Sequence, residues 1–406
     1  MRTLNQVGVA ELQRPTLWLP LCALAAVYGM FTVSWMIYRV HLPGLLTQAG
    51  FAESLAPALL LIEAVIAIAL EPLAGAFSDR TNRQQGSRFP LITLGVILSS
   101  LLFVAIPALM VFAPPTGSAV WTLPTLLISW AIGMSLFRSP ALALLRRYAP
   151  NLQLPQAASV LTFAAGIAGA AAPLASKSVL DMGTTAAFTL GAVLILLSVM
   201  WLRWMNPIGL VASEPAEYFN SAKPISLISL GAIFGLGLSA TLALRLVTET
   251  LPKILKAQVP DITPPTFIGV LFIALAVAAF PVGKFATRNG NSKTMLIGVG
   301  LAALFISIMS FTQTAGIALI MALGLGVAFS FLTNGTLPFA LSLVPPDRAG
   351  LGVGMFFAGA AAATSLFTGI LAKPGVLAPT AGVAIGIMAL VAAALCVLAG
   401  EEQSKA

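Results

Sequence analysis

The chain has 406 residues, of which 59% are hydrophobic and only 8% charged; a soluble domain carries about 25% charged residues. A chain this apolar has too little polar surface to face water all round, so the bilayer is its natural solvent. The net charge of +8 does not point to nucleic acid, because the basic residues stand in short loops between apolar runs, which is a topology signal.

A helix needs about 20 apolar residues to cross the hydrocarbon core. Twelve stretches qualify in chain order: 17–40, 54–77, 90–112, 121–146, 155–176, 184–205, 225–249, 265–287, 294–312, 315–343, 350–372 and 376–399. The first lacks a clear cleavage site and reads as an uncleaved span. The longest connection, 206–224, lies in the middle, and no soluble domain fits anywhere. Cys22 and Cys396 both sit in apolar runs and form no disulfide framework. The single histidine, His41, cannot build a His-based zinc or catalytic cluster, so neither metal nor cofactor is expected. No nucleophile–base pair or phosphate loop is visible, which argues against an enzyme.

Lys and Arg set the expected orientation. With the N-terminus inside, 14 of the 21 fall at cytoplasmic ends, five at outer ends, and Arg138 and Arg245 within spans. That bias places both termini in the cytoplasm. The halves also resemble each other. "YGMFTVSWMIYR" (28–39) lies over "FGLGLSATLALR" (234–245), which aligns Arg39 with Arg245. "GAFSDR" (75–80) lies over "GKFATR" (283–288), and "SPALALLRRYAP" (139–150) resembles "LPFALSLVPPDR" (337–348). The expected fold is therefore all-α: twelve transmembrane helices in two parallel six-helix halves, 1–205 and 225–406, joined by a cytoplasmic loop at 206–224. This is the arrangement of a rocking transporter with its site at the interface of the halves. Spans 5 and 11 are dense in Ala and Gly, which lets helices approach closely.

These residues resemble the major facilitator superfamily over nearly the whole chain. The resemblance rests on the twelve spans, the central loop, and a G-x-x-x-D-R-x-x-x-R-type loop between spans 2 and 3: Gly75, Asp79, Arg80 and, loosely, Arg83 and Arg88. A weaker copy, Gly283 to Arg288, lacks the acid. The resemblance implies a latch between the halves on the cytoplasmic side. Over about forty residues, Glu71-Pro72, Gly75, Ser78-Asp79-Arg80-Thr81 and Gly86-x-Arg88-x-Pro90 resemble the glycoside–pentoside–hexuronide and sucrose symporter branch.

Charges inside a membrane are costly, by about 2.5–3.5 kcal/mol each on insertion scales, and usually find partners in a cavity. Glu63, Ala67 and Glu71 share one face of span 2. Glu71 stands eight residues before Asp79, and Arg138 eight before Arg146, at ends on the same side. The two should therefore lie at one depth and pair, with Glu63 about 12 Å further out. The resemblance implies further acids where this chain has Ala67 and Arg138. A guanidinium offers no oxygen to a hard cation, so no sodium site is expected there. Glu63 has no obvious partner and reads either as a proton carrier or as a structural carboxylic acid.

Trp35, Tyr38, Arg39, Arg245, Glu249, Asn334 and Thr336 are cavity or gate candidates. Each also has a plainer reading: an aromatic belt for Trp35 and Tyr38, snorkelling for Arg39, an i,i+4 pair for Arg245 and Glu249, and interhelical hydrogen bonds for Asn334 and Thr336. The expectation is a multi-pass carrier of the cell inner (plasma) membrane, monomeric, in contact with lipid and not with nucleic acid. It would move a small organic solute, sugar or glycoside favoured, by alternating access, with proton coupling open. The alternatives are a multidrug or metabolite exporter and a non-transport assembly factor of the same fold, such as the photosynthetic-pigment assembly proteins related to this superfamily.

Overall fold

The computed structural model describes residues 15–114, 116–206, 225–259, 262–309, 312–373 and 375–405. The expected central loop after Asn206, together with Arg2, Arg14 and Lys223, lies outside them. Twelve helices are long and apolar enough to cross a membrane, and no strand occurs among the described residues. In chain order they are α1 (Trp18–Gln48), α2 (Leu55–Gln85), α3 (Phe89–Phe112), α4 (Thr122–Leu142), α5 (Leu154–Asp181) and α6 (Thr184–Met205). Then follow α7 (Leu227–Gln258), α8 (Pro264–Asn289), α9 (Asn291–Met309), α10 (Ala315–Ser342), α11 (Ala349–Leu366) and α12 (Pro379–Lys405).

Several helices run past their apolar stretch, because hydropathy marks the hydrocarbon core and not the end of the hydrogen-bond ladder. α2 continues through Ser78 to Gln85 and stops only at Gly86, whose left-handed φ of 68° ends the helix as its N–H bonds the Asn82 carbonyl. The Asp79 motif expected in a loop is therefore helix-borne, and only Gly86, Ser87 and Arg88 form the connection. α1 passes through Pro43 and ends at Gln48, eight residues beyond the expected boundary. The fourth span is interrupted after Leu142, beyond Pro140, and resumes as a turn at Leu145–Tyr148. The Leu17 N–H donates to the Tyr148 carbonyl at 2.8 Å, which ties the start of α1 to the end of that turn. α11 widens into a π-helical turn at Phe367–Leu371.

The packing of the first six helices recurs in the last six. α1 packs on α5 and α6 as α7 packs on α11 and α12; α4 packs on α2 and α3 as α10 packs on α8 and α9. Prolines inside helices recur as well: Pro43 with Pro252, Pro72 with Pro281, and Pro140 with Pro338. The halves meet mainly through two extensive, repeat-related contacts, α2 on α11 and α5 on α8. Small residues make both possible. A Cβ on Gly75 would overlap the Gly350 carbonyl, and one on Gly166 would come within 2.8 Å of the Ala276 methyl. The Ala- and Gly-rich spans thus lie at the junction of the halves. Large side chains such as Leu73, Phe77, Leu101 and Phe112 are exposed, as expected where lipid is the solvent.

Candidate functional site

Three groups of polar side chains lie between or beside the halves. The first forms around Glu71, fully buried on α2 one residue before Pro72. The Arg138 guanidinium on α4 meets its carboxylate at 2.5 Å, and the neighbouring Ser139 hydroxyl donates to the other carboxylate oxygen. Arg138 is 18% exposed and lies over the rings of Phe357, at 4.0 Å, and Phe31, at 5.0 Å. Phe31 belongs to α1 and Phe357 to α11, so the cation is stacked against both halves. The Glu71 backbone carbonyl also abuts Gly354 of α11, where a Cβ would overlap it. Ser139 and Phe357 were not anticipated. The pattern Arg-Ser-Pro carried the signal for the serine; nothing local marks Phe357.

The second group is the tight contact at the end of α2. Asp79 is buried and accepts N–H bonds from Gly350 at 2.9 Å and Leu351 at 2.8 Å. These are free donors of the first turn of α11, where a helix N-terminus favours negative charge. Arg88 supports the same carboxylate at 2.5 Å and reaches the Ser78 hydroxyl at 3.3 Å. Arg83 approaches Asp347 at 3.7 Å from an exposed position, whereas Arg80 is exposed on the helix surface. Arg146, absent from the expected site, donates to the carbonyls of Leu341 and Val344 at the end of α10.

The repeat-related α5–α8 contact has no acid. Gly283 lies against the Pro155 carbonyl and the Ser159 side chain, and Arg288 is exposed. Asn334 joins this contact: it accepts from the Thr162 hydroxyl at 3.1 Å and donates to the Ala279 carbonyl at 3.3 Å. Thr336 bonds back to Thr333 of its own helix. Both are buried and hydrogen-bonded to helix partners.

The third group lies toward the opposite face. Tyr38 is fully buried and donates a hydrogen bond to Glu63. Glu63 therefore has the partner that the sequence did not reveal, and Tyr38 is no interfacial belt residue. Its ring packs 4.6 Å from Trp130, which stacks on Phe103 at 4.8 Å and contacts Trp35 at 4.9 Å. The other carboxylate oxygen of Glu63, Oε2, is buried with no hydrogen-bond partner among the described residues. Next in sequence to Tyr38, Arg39 is exposed, lies over Trp35 at 5.6 Å, and feels the charges of Glu63 and Glu249. Arg245 lies over Phe367 of the π-helical turn at 5.8 Å and interacts electrostatically with Arg39 and Glu249. Arg245 and Glu249 share a helix face, but neither arginine forms a direct ion pair among the described residues. A cavity of about 230 Å³ opens beside them, lined by Glu249, Lys253, Phe367 and Lys373 among others.

Twelve membrane-length helices in two repeated sets, packed across small-residue contacts with charges between them, define a multi-pass membrane protein of the carrier type. The chain belongs to the Major Facilitator Superfamily, whose sequence profile matches residues 24–368. Among solved structures it is similar to FucP, a Major Facilitator Superfamily transporter in the outward conformation, with 14% identity, a TM-score of 0.66, and 93% of this chain and 98% of that chain covered. It is also similar to XylE, a proton:xylose symporter bound to 6-bromo-6-deoxy-D-glucose, at 14% identity and a TM-score of 0.65, with 92% and 94% covered. No curated protein matches the chain by sequence.

Proposed function

We propose that the chain is a secondary transporter of a small polar organic solute, a sugar or sugar derivative favoured, working by alternating access. The halves 1–205 and 225–406 rock against each other about the α2–α11 and α5–α8 contacts. The observation that carries this reading is the unequal treatment of the two faces. At the Asp79 face the halves are joined by buried, charge-assisted hydrogen bonds. At the other, charged side chains from both halves, Arg39 and Glu249, stand exposed with no direct ion pair among the described residues. Exposed charge at an inter-half junction suits a solute path and suits an apolar pigment-handling surface poorly. Two arginines there also disfavour a lipophilic cation, which weakens the drug-exporter reading.

The XylE neighbour, a proton:xylose symporter, supports a sugar-type solute by analogy of fold. By the positive-inside bias the Asp79 face is cytoplasmic and the protein resides, as a monomer, in the plasma (inner) membrane. Glu63 is the proton-coupling candidate, since it is a buried intramembrane acid with no ion-pair partner among the described residues and with one carboxylate oxygen left without a hydrogen bond. Glu71 and Arg138 act as a structural pair, and the guanidinium leaves no sodium site at this place.

The test is ligand-dependent thermal stabilisation of the purified protein, with saccharides, glycosides, organic anions and lipophilic cations at two pH values, with and without sodium. A ligand at a hundredfold excess over its Kd stabilises by about 2.7 kcal/mol. Stabilisation by a saccharide-type solute, independent of sodium, is expected. Selective stabilisation by lipophilic cations would transfer the protein to the exporter class.

A further inference from the structure

The cavity of about 230 Å³ lies at the end of α11 opposite the clasp with Asp79, and its own lining is charged. Glu249 and Lys253 reach it from α7, and Lys373 from the connection between α11 and α12. Glu249 and Lys253 are spaced i, i+4 in the order that favours pairing on a helix. Yet none of the three forms a direct ion pair among the described residues, and all three are exposed. Two irregular pieces of backbone flank the cavity. Pro252 stands in α7 between the two charges, and both end residues of the π-helical turn, Phe367 and Leu371, line the wall. Irregular backbone at membrane depth is tolerated where it lines a cavity, and π-turns concentrate at functional sites. The same turn also meets the other half: a Cβ on Gly369 would come 3.2 Å from Leu61 of α2. Depth narrows what the cavity can hold. Glu249 ends the apolar run 225–249, and Lys373 follows the run 350–372, which puts these charges at the headgroup layer. Beside them Leu366, Ile370 and Val376 are exposed, the kind of surface that acyl chains cover. Two ammonium groups suit a phosphate. An anion alone would leave Glu249 without a donor, whereas a zwitterion satisfies both signs. Four residues of α7 rise about 6 Å, a spacing that a phosphate and an ammonium two carbons apart can match.

We propose that this cavity binds the phosphoethanolamine headgroup of a membrane phospholipid. Lys253 and Lys373 donate to the phosphate oxygens, Glu249 accepts from the ammonium, and the acyl chains run over Leu366 and Ile370. Phosphatidylcholine offers the same phosphate, but its quaternary ammonium has no N–H to give Glu249. Phosphatidylglycerol carries no cation at all. Because the turn that walls the cavity also rests on α2, an occupied cavity braces the junction of the halves at this end. The inference rests on the membrane fold and not on the identity of the solute.

The experiment is native mass spectrometry of the delipidated full chain in detergent, titrated with phosphatidylethanolamine, phosphatidylcholine and phosphatidylglycerol of identical acyl chains, alongside melting curves in each lipid. One phosphatidylethanolamine should bind about tenfold more tightly than phosphatidylcholine, the difference expected from a charge-assisted hydrogen bond. It should also raise the melting temperature more. Replacing both lysines, Lys253→Gln with Lys373→Gln, should lose about tenfold or more of that binding, and the corresponding double arginine variant should keep most of it. Glu249→Gln should erase the preference for phosphatidylethanolamine over phosphatidylglycerol, and Glu249→Asp should retain it. Soluble O-phosphoethanolamine at equal concentration should not displace the lipid. Equal binding of phosphatidylethanolamine and phosphatidylcholine, unchanged in the double glutamine variant, overturns the site. Tighter binding of phosphatidylglycerol by the parent protein overturns the zwitterionic assignment, and displacement by O-phosphoethanolamine overturns the lipid as its source. None of these results bears on the transport reading, since no solute enters the measurement.

Discussion

Removing the charge of Asp79 tests how the halves are held. Its carboxylate accepts two N–H bonds from α11, in the other half, and one ion pair from Arg88, in its own half. Of these three contacts only the first two break when the halves separate, so only they bear on the conformational balance, beside the Arg83–Asp347 and Arg146 contacts of the same face; the Arg88 contact travels with α2. A hydrogen bond to a charged group contributes about 1.5–3 kcal/mol and a neutral one about 0.5–1.5. Asp79→Asn therefore weakens the cross-half clasp by about 2 kcal/mol, with a further penalty where the amide N–H₂ faces a backbone donor. That corresponds to a shift of about thirtyfold or more toward opening at this face. The assay is maleimide labelling of a single cysteine at Ala349, buried at the start of α11, with Cys22 and Cys396 replaced. The labelling rate should rise by about that factor. A rate within twofold of the parent would show that these bonds do not govern the equilibrium.

Other outcomes follow from the same geometry. Gly350→Ala places a Cβ 2.5 Å from the Gly75 carbonyl and 2.8 Å from both Arg88 Nη1 and Asp79 Oδ1 and should open the same face while removing no charged group, again read by labelling. Glu71→Gln or Arg138→Gln alone breaks a buried pair, a change that costs about 3–5 kcal/mol when desolvation is complete. The cost should be smaller for Glu71→Gln, because Arg138 is part-exposed and stacked on two rings; the melting temperature measures it. A charge-swapped Glu71→Arg, Arg138→Glu protein that recovers none of the lost stability would argue that the pair is not the source of the effect. Solute exchange should be indifferent to replacing sodium with choline, and a sodium requirement abolished by Glu71→Gln would contradict the structural role given to that pair. Glu63→Gln retains an acceptor for Tyr38 but carries no titratable proton. Solute-driven alkalinisation should vanish while counterflow persists, and unchanged proton movement would remove Glu63 from coupling.

Much of the scaffold was legible because a bilayer imposes one simple rule, and twelve apolar stretches of sufficient length satisfy it. The ends were less legible. Helix geometry continues into polar residues such as Thr81 and Gln85, which hydropathy does not count. Counting back from the charged helix ends placed Glu71 and Arg138 at one depth, since rise per residue converts sequence directly to height. Sideways relations were harder. Nothing in the sequence says that Tyr38 turns inward to Glu63 and not outward to the interface. The acceptor role of Asp79 toward Gly350 and Leu351 involves backbone N–H groups, which leave no side-chain signature. Asn334 was readable either as a solute ligand or as an interhelical hydrogen-bonding group, because the residue type alone does not say which helix it faces; its amide meets Thr162 and the Ala279 carbonyl at the α5–α8 contact.

The central claim is that the chain carries a polar solute across a membrane by alternating access. Counterflow in proteoliposomes tests it most directly: vesicles loaded with unlabelled sugar or sugar acid are diluted into trace labelled solute, and uptake is followed. A transient overshoot for at least one solute, slowed in Asp79→Asn, is predicted. Uptake no greater than in protein-free vesicles for every saccharide, glycoside and sugar acid, from protein that is monodisperse and correctly inserted, would contradict the account and favour a membrane factor that does not transport.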